Sequence, residues 1–308
     1  MRADQTKGKK KRPWLRVTGI VFLLLFIGVG VYVYSVYSSL TSAVDTMHQP
    51  VERETKRPAD VTLEQKDPFS VLMLGVDERP GDRGRSDTMI VLTVNPELNS
   101  VKMLSIPRDT RTEIVGRGSQ DKINHAYAFG GVEMSMDTVE HFLDIPIDYY
   151  LKVNMEGFKD IVDSVGGVLV TNDQEFSQGG HQFAKGEILL NGDKALSYVR
   201  MRKQDPRGDF GRQQRQRQII EGVIKKGANF STLSKFDDIF GALEKNVKTN
   251  LTFDQMVGIQ SDYKVAGKSV EQMQISGSGT MISNIYYYSV PAEEQQRVQN
   301  ELKEHLEL

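Results

Sequence analysis

One uncharged stretch limits how this chain can fold more than any other feature. Residues 17–37 are 21 amino acids without a charge, and four consecutive basic residues, 9–12, precede them. A helix of that length extends about 31 Å, which is enough to cross a bilayer. Trp14 and the tyrosines near the end of the stretch are placed as interfacial aromatics are. The sequence therefore predicts a single-pass anchor over 17–37, with a basic cytoplasmic tail, 1–16, and the rest of the chain outside the membrane.

A cleaved signal peptide is the alternative interpretation of this segment. Residues 41–43, Thr-Ser-Ala, are loosely compatible with a cleavage site. The apolar run is longer than a typical signal core, which favours an uncleaved type II anchor. Residues 38–66 are polar and contain two prolines, so they predict a linker. The remaining stretch, 67–308, is long enough for one domain of ordinary to large size.

The charge distribution excludes one large class of partners. The whole chain has 39 basic and 41 acidic residues, but seven of the basic residues and only one acidic residue fall within 1–37. The outer part therefore has a formal net charge of about −8, which is unfavourable for general nucleic-acid binding. The absence of cysteine excludes disulfides, thiol nucleophiles and zinc–thiolate sites.

The hydrophobic patterns predict an α/β domain with a mixed sheet. Buried-type strands are expected at 69–76, 88–95 and 101–106, separated by loops that are rich in turn residues. In the later segments, the helical and the strand periods of hydrophobic residues alternate along the chain, as in α/β domains. Residues 121–131 are expected to be a loop that enters a helix ending near 143. Further helices are expected at 154–165, 212–226 and 292–306, and strands at 168–171 and 285–290.

Charged residues lie at the ends of these first three strands. If neighbouring strands are antiparallel, Asp77 leaves strand one at the edge where Asp87 enters strand two, and strand three delivers Arg108 to the same edge. Arg85 lies in the loop between the first two strands. Magnesium takes one or two carboxylates and shares substrate oxygens, so this edge predicts a Mg²⁺–pyrophosphate site. Surface salt bridges between the two aspartates and the arginines of the loop are the alternative.

A second basic cluster lies at residues 198–218. Guanidinium groups bind phosphate through a planar fork of donors, so a dense arginine cluster indicates a phosphate or pyrophosphate site. A solvated basic face is the simpler alternative. Only two aspartates are available within this stretch to pair with its six arginines, which are Arg200, Arg202, Arg207, Arg212, Arg215 and Arg217.

The spacing of this cluster favours the binding site. Residues 196–202 alternate, which predicts a strand with Tyr198, Arg200 and Arg202 on one face.

The helix that is expected after it would place Arg212, Arg215 and Gln216 on its apolar side. Polar groups that point inward need partners, and few acids are nearby. An anion would supply them.

Seven motifs, in this order, resemble those of the LytR–CpsA–Psr family, and the resemblance covers essentially the whole chain. They are Leu74-Gly-Val-Asp-Glu-Arg79, Gly84-Arg-Ser-Asp-Thr-Met89, Ser105-Ile-Pro-Arg-Asp109, Lys122-Ile-Asn-His125, Asp163-Ser-Val-Gly-Gly167, Tyr198-Val-Arg-Met-Arg202 and Gly208-Asp-Phe-Gly-Arg-Gln213.

This resemblance implies a three-layer α/β/α catalytic domain over 67–308, outside the membrane of a Gram-positive bacterium. Such a domain binds an undecaprenyl-pyrophosphate-linked glycopolymer, here expected to be wall teichoic acid. It transfers the polymer with one phosphate to the C6 hydroxyl of N-acetylmuramic acid in peptidoglycan. The resemblance also implies a long hydrophobic slot for the prenyl chain, whose lining the sequence does not assign.

Site residues carry over by position. Asp77 and Asp87 would hold Mg²⁺, and Arg108, Arg200 and Arg202 would be catalytic. The residues expected to contact the pyrophosphate are Arg85, Arg108, Arg200, Arg202, Arg212 and Gln216.

Two other functions compete with the transferase. A lipid-pyrophosphate hydrolase would use water in place of the sugar hydroxyl, and a membrane-tethered wall-binding or regulatory protein would need no chemistry at all. Phosphoryl transfer depends mainly on positioning and charge neutralisation, so Mg²⁺ and the arginines suffice to explain catalysis. Asp109 and Asp209 are candidates for a general base, although either could instead orient a neighbouring arginine. The sequence does not choose between them.

Overall fold

A mixed sheet of six strands, with helices on both of its faces, organises the chain. The structure is a computed structural model that describes residues 13–57, 59–78, 84–228, 241 and 243–308. In the first helix of this range, the side chains are described at 25–27, 30, 31 and from 34 onward.

The strands and helices are numbered in chain order. The strands are β1 (Phe69–Val76), β2 (Ser86–Asn95), β3 (Ser100–Ser105), β4 (Arg111–Ile114), β5 (Ser119–Lys122), β6 (Tyr149–Val153), β7 (Val168–Asn172), β8 (Phe176–Gln178), β9 (His181–Phe183), β10 (Gly186–Leu190), β11 (Val247–Thr249), β12 (Val270–Met273), β13 (Ser278–Ile282) and β14 (Ile285–Ser289). The helices are α1 (Pro13–Met47), α2 (His125–Leu143), α3 (Met155–Ser164), α4 (Gly192–Arg200), α5 (Asp209–Gly227), α6 (Phe253–Asp262) and α7 (Ala292–Leu306). Short 3₁₀ helices lie at Leu63–Gln65 and Ala266–Lys268.

The central sheet is mixed, as predicted. Its strand order is β11–β6–β1–β2–β3–β12, in which β1, β2 and β3 form an antiparallel meander. Strand β6 runs parallel to β1, and β12 runs parallel to β3. Gly75 pairs with Thr88 and Ile90 pairs with Ser105, so the end of β1, the start of β2 and the end of β3 meet at one edge.

One face of this sheet is fully covered by tightly packed side chains. Side chains alternate along a strand, and Leu72, Leu74 and Val76 of β1 all point to the side that α2 and α7 cover. Phe142 of α2 and Leu302 of α7 belong to the same buried cluster. We call this side the filled face.

The opposite side is packed differently. Val71, Met73 and Gly75 of β1 are only partly buried there, although α3, α4 and α5 lie over them. A cavity separates the sheet from these helices. We call this side the hollow face. Beyond it, β7–β10 close a second core around Phe183 and Tyr198.

The predicted linker, residues 38–66, is packed against the domain. Four residues of α1 with helical spacing, at 40, 43, 44 and 47, are buried, and two of them, Val44 and Met47, join a cluster with Val153 and Val247. Because most residues of the segment are polar, its composition does not reveal this narrow apolar stripe.

Two arginines in the later part of the same segment form ion pairs with the domain. Arg53 forms a bidentate pair with Glu140, at 2.8 and 2.9 Å, and Arg57 lies 2.6 Å from Asp148. These ion pairs make residues 40–57 part of the folded body rather than a free spacer.

The predicted anchor, 17–37, is described only in part. Most of the tail 1–16 and the side chains of the first part of 17–37 lie outside what the structure describes. Among the described residues, no helix is both long and apolar enough to cross a membrane. The anchor stays a prediction.

The predicted strand at 196–202 is wrong. Residues up to Arg200 belong to α4, which begins after Asn191, whose side chain accepts a hydrogen bond from the backbone N–H of Lys194 at 3.0 Å. The buried positions 195, 198 and 199 follow the helical period, so the alternation of Tyr198 and Arg200 was coincidental.

Candidate functional site

The cavity on the hollow face has a volume of about 670 Å³. It lies between β1, β2 and β6 on one side and α3, α4 and α5 on the other, and most of its lining is apolar. Representative lining residues are Met73, Leu92, Leu151, Phe158, Ile219 and Val223. A cavity of this size and lining fits an extended hydrocarbon better than a polar ligand.

Charged residues concentrate at one end of this cavity. Asp77, Asp87 and Arg212, together with the polar Gln216, line the end where β1 meets β2. Arg200 also lines the cavity, and all five residues were predicted from the sequence. The cavity therefore joins an apolar channel to a charged mouth.

The other predicted residues lie beside this mouth. Arg108 shares a pocket of about 10 Å³, the space of one water, with Asp87 and Arg212. Arg85 and Arg202 are exposed and do not line the cavity. Arg202 nevertheless contributes to the positive potential at Arg212. Arg79 and Arg83, which could pair with the aspartates, lie outside the described residues.

A β-bulge presents Asp87 at the mouth. The pairing of β1 with β2 passes from Gly75–Thr88 to Val76–Ser86, so Asp87 is the extra residue. Bulges re-aim side chains and are frequent beside active sites. A Cβ on Gly75 would come within 2.9 Å of Thr88 Cβ, so only glycine permits this close approach.

Arg108 is paired but not saturated. Its Nη1 lies 2.6 Å from Asp87 Oδ1, and its Nε lies 3.7 Å from Asp109 Oδ2. The buried Nε has no hydrogen-bond partner among the described residues. Burial alone would lower the pKa of Arg108, but Asp87 and the other nearby carboxylates raise it above the ordinary value. Arg108 is therefore a charged group with a donor left for an anion.

Arg212 is in a more positive environment. Its Nη2 lies 2.6 Å from Asp209 Oδ1, but its buried Nε also lacks a hydrogen-bond partner in the described part of the chain. Burial lowers the pKa of Arg212, and the positive charges of Arg108 and Arg202 lower it further, against the opposing effect of Asp209. An anion at the mouth would relieve this unfavourable potential.

Gln216 and the two candidate bases have structural partners. Gln216 Nε2 donates to Thr88 Oγ1 at 2.7 Å, which links α5 to β2. Asp109 accepts from Lys122 Nζ at 2.7 Å, and Asp209 holds Arg212. Both aspartates are therefore placed to orient cations at the mouth.

Arg215 does not face the cavity, contrary to the prediction. Its Nη1 lies 2.7 Å from Asp205 Oδ2 and its Nη2 donates to Met201 O at 2.6 Å. The guanidinium lies 5.6 Å from the ring centre of Phe176. On a helix, residues 215 and 216 are about 100° apart, and here Gln216 lines the cavity while Arg215 turns towards Asp205. Arg215 is a buried structural residue.

The pKa of Asp205 reflects this arrangement. Burial would raise it, but the hydrogen bonds from Arg207 and Arg215 hold the pKa well below the ordinary range. Two of the six arginines in the basic cluster are thus used to neutralise a buried carboxylate.

Two carboxylates are available for a metal ion. Asp77 and Asp87 line the same end of the cavity, and no group of three His, Asp or Glu side chains suited to a metal occurs among the described residues. Magnesium retains waters and takes substrate oxygens, so a pair of carboxylates beside the arginines of the mouth is a fitting donor set. Zinc would call for more protein ligands.

Sequence reasoning missed most of the cavity. Thr88 and Asn154 line its polar end, and the apolar lining comes from six separate elements. The strand β1 could have signalled it, because both of its faces are apolar while one ends beside charged residues.

Comparison with known proteins now gives the fold and site a family. The LytR_cpsA_psr family model matches residues 34–304. The polyisoprenyl-teichoic acid–peptidoglycan teichoic acid transferase TagU of Bacillus subtilis strain 168 is 54% identical over 307 residues, which cover 100% of both chains. The chain therefore belongs to the LytR_cpsA_psr family, and it is a transferase.

Solved structures agree with this assignment. The crystal structure of Bacillus subtilis TagU is 55% identical, with a TM-score of 0.64, and covers 79% of this chain and 98% of its own. A structure of TagT bound to LIIa-WTA is 35% identical, with a TM-score of 0.71, over 83% of this chain and 97% of its own.

Proposed function

We propose that this protein transfers wall teichoic acid from an undecaprenyl-pyrophosphate-linked donor to peptidoglycan. One observation carries the proposal. The apolar cavity of about 670 Å³ ends at a mouth where Asp77, Asp87 and Arg212 come together. An amphiphile with a hydrocarbon tail and a pyrophosphate head matches both parts. The names of the relatives, teichoic acid transferases that match over the full length, support the same substrate class.

The apolar lining would hold the prenyl tail. Burial of apolar surface contributes about 25 cal/mol for each Å², so a tail in this cavity would supply much of the binding energy. Phe158 of α3 and Val223 of α5 face the sheet across the cavity. Because the tail is far from the reacting phosphorus, its binding energy can position the head group.

The mouth would hold the pyrophosphate. Arg108 and Arg212 each have a buried Nε–H with no partner in the described part of the chain, and Arg200 lines the cavity. Arg85, Arg202 and Gln216 would complete the head-group contacts.

Asp77 and Asp87 would hold Mg²⁺, which supplies charge neutralisation to the pyrophosphate. Asp87 already contacts Arg108, so the carboxylate would orient both the cation and the arginine.

The reaction needs little covalent participation by the protein. The C6 hydroxyl of N-acetylmuramic acid would attack the phosphorus that carries the polymer, and the bond to prenyl phosphate would break. Arg108 would stabilise the charge that develops on the transferred group, and Arg200 and Arg202 would stabilise the departing phosphate. With the anchor over 17–37, the mouth would work outside the membrane of a Gram-positive cell, where both substrates lie.

Transfer in vitro tests the proposal. The full chain in detergent would be mixed with a synthetic prenyl-pyrophosphate-linked polymer precursor and peptidoglycan oligomers, with and without Mg²⁺. We expect polymer joined to glycan, abolished in Arg108→Ala and retained in Arg297→Ala. Arg297 is a suitable control because it is a surface arginine on α7, paired with Glu294 and Glu301.

Each alternative function has its own outcome in this assay. Release of prenyl phosphate without a joined product would indicate hydrolysis and contradict the transferase. Binding of the lipid without either product would indicate a wall-binding protein. Asp77→Ala should lose the response to Mg²⁺, and an unchanged response would remove Asp77 from the metal site.

A further inference from the structure

A second, smaller polar pocket lies on another side of α5. Phe210, Gln213, Gln214 and Arg217 line it from positions that share one face of the helix. Ser105, at the end of β3, lies opposite them. The pocket has a volume of about 100 Å³.

Arg217 is a buried cation without a carboxylate. Only 3% of the residue is exposed, yet its one side-chain hydrogen bond to a described residue goes from Nε to Gln272 Oε1, at 3.0 Å. It makes no ion pair with any described residue. Burial lowers the pKa of Arg217. Arg53 and Arg215, the comparably buried arginines, are both paired with carboxylates, as buried charges normally are.

Ser105 adds an unused hydrogen-bonding group. Its buried Oγ has no partner among the described residues. A buried hydroxyl without a partner costs about 1–3 kcal/mol. Ser105, which carries this hydroxyl, and Arg217 line the same small space.

The other charges around the pocket do not neutralise Arg217. Arg207, at the rim, is balanced by Asp205 and Asp173. No acidic side chain is among the described residues that line the pocket. Gln213 donates to Asp209 at 3.3 Å, and that carboxylate also holds Arg212. The interior therefore combines a cation with neutral hydrogen-bonding groups.

The pocket adjoins the charged mouth of the large cavity. Ser105 and Gln213 line both this pocket and the small pocket that contains Arg108 and Arg212. A group bound beside Arg217 would thus lie next to the candidate pyrophosphate site.

We propose that the pocket at Ser105 and Arg217 is a second anion-binding site that takes one phosphate group. Its volume suits a phosphate, and the guanidinium, hydroxyl and amide groups are the donors that phosphate oxygens accept from. The site itself is independent of the proposed transferase function. Only the source of the phosphate, a phosphodiester of the polymer being transferred, rests on that function.

The test measures phosphate binding rather than transfer. The unfolding temperature of the full chain in detergent is followed as dimethyl phosphate, a minimal phosphodiester, or inorganic phosphate is added. Each probe is also titrated against the Arg108→Ala protein, in which the main site is impaired. We expect a phosphate-dependent rise that persists in Arg108→Ala. Arg217→Gln and Ser105→Ala, made in that background, should weaken the apparent affinity at least about tenfold.

The variants without ligand separate binding from a structural role. Ser105→Ala removes a buried hydroxyl that has no partner among the described residues, and Arg217→Gln removes a buried charge that no described carboxylate neutralises, so both should leave the unfolding temperature unchanged or raise it in phosphate-free buffer. Arg217→Lys should restore part of the phosphate response, and Arg297→Gln should leave that response unchanged.

Two results would overturn the proposal. One is an equal phosphate response with and without the Arg217 guanidinium. The other is a loss of folding in phosphate-free Arg217→Gln together with an unaltered phosphate response in Ser105→Ala. A stronger response to dimethyl phosphate than to inorganic phosphate would identify a polymer phosphodiester as the source, and the reverse order would identify free phosphate. A failure of the transfer assay would leave all of these results valid.

Discussion

On the filled face of the central sheet, Leu72 is closed in by α2 and α7, whereas on the hollow face its neighbours Val71 and Met73 border a cavity. The residues are similar and belong to one strand, so hydrophobicity does not explain the difference. The helices over the hollow face are held away from the sheet. An apolar surface left uncovered in this way is costly for the protein alone, and it indicates a place for a ligand.

Charged groups show the same contrast. Beside the filled face, Arg53 pairs with the buried Glu140 and Arg57 pairs with Asp148. Beside the hollow face, Arg212 has an unused donor and Arg217 has no carboxylate partner among the described residues. Unfilled space and unsatisfied charge occur together, which is the property expected of a site for an anionic amphiphile.

Breaking a pair beside the filled face should have the largest effect. Glu140→Ala would remove the bidentate partner of buried Arg53, which would keep only Asp137 as a carboxylate at 2.9 Å, and would also remove the acceptor of the Ile147 N–H. The free energy of unfolding should fall by about 3–5 kcal/mol. Urea denaturation measures this change. Arg217→Gln, on the hollow side, should change the same quantity by less than about 1 kcal/mol. Equal losses in both variants would remove the contrast.

Removing a cation at the mouth should affect activity instead of stability. Arg108→Ala should lower the rate of transfer by about 10²–10³-fold, because a preorganised donor to the developing charge is lost. Its urea midpoint should remain close to that of the wild type, since the pair with Asp87 is partly exposed. Steady-state transfer by Glu140→Ala, corrected for its folded fraction, should stay near the wild-type rate. An unchanged rate in Arg108→Ala would contradict its assignment.

Adjacent residues of β1 offer a sharper comparison. Leu72→Ala should cost about 2–5 kcal/mol of stability, since it leaves a void in the filled face. Met73→Ala should cost less than about 1.5 kcal/mol, because its side chain already borders empty space. Both are measured by urea denaturation. If Met73→Ala costs as much as Leu72→Ala, the hollow face is packed in solution.

A smaller effect concerns pH on the filled side. His305 of α7 hydrogen-bonds Thr93 Oγ1 at 2.8 Å and Ser100 Oγ at 2.9 Å, and burial, reinforced by Lys102, lowers its pKa to about 4. The folded state thus resists protonation between pH 6.5 and 4, while the unfolded state accepts the proton. Stability should be constant above pH 6.5 and fall by up to about 1.4 kcal/mol per pH unit towards pH 4. His305→Gln should fall less steeply, and an equal slope would contradict this account.

The sequence predicts the sheet edge well because its causes are local. Apolar runs that are separated by short turns define β1, β2 and β3, and an antiparallel meander necessarily returns to the same edge. The convergence of Asp77, Asp87 and Arg108 therefore follows from the amino-acid sequence, and the strand pairing confirms that their segments meet.

Features that depend on distant partners were not predictable in this way. The structural role of Arg215 depends on Asp205 and Met201 O, which the turn before α5 brings back to the helix. The alternation around Tyr198 imitates a strand, because six or seven residues are too few to separate the two periods. The family resemblance implies a hydrophobic slot, but the lining of the cavity escaped prediction, since periodicity identifies an apolar face and does not say whether anything fills it.

Binding of prenyl pyrophosphates of increasing chain length tests the central claim most directly. Calorimetric titration would compare the wild type with Val223→Trp, which places a large side chain in the cavity. We predict that the dissociation constant of the wild type falls about tenfold with each added prenyl unit until the cavity is full, and that Val223→Trp keeps head-group binding but loses this dependence. Equal affinity for all chain lengths, or the same length dependence in Val223→Trp, would contradict a lipid-binding hollow face.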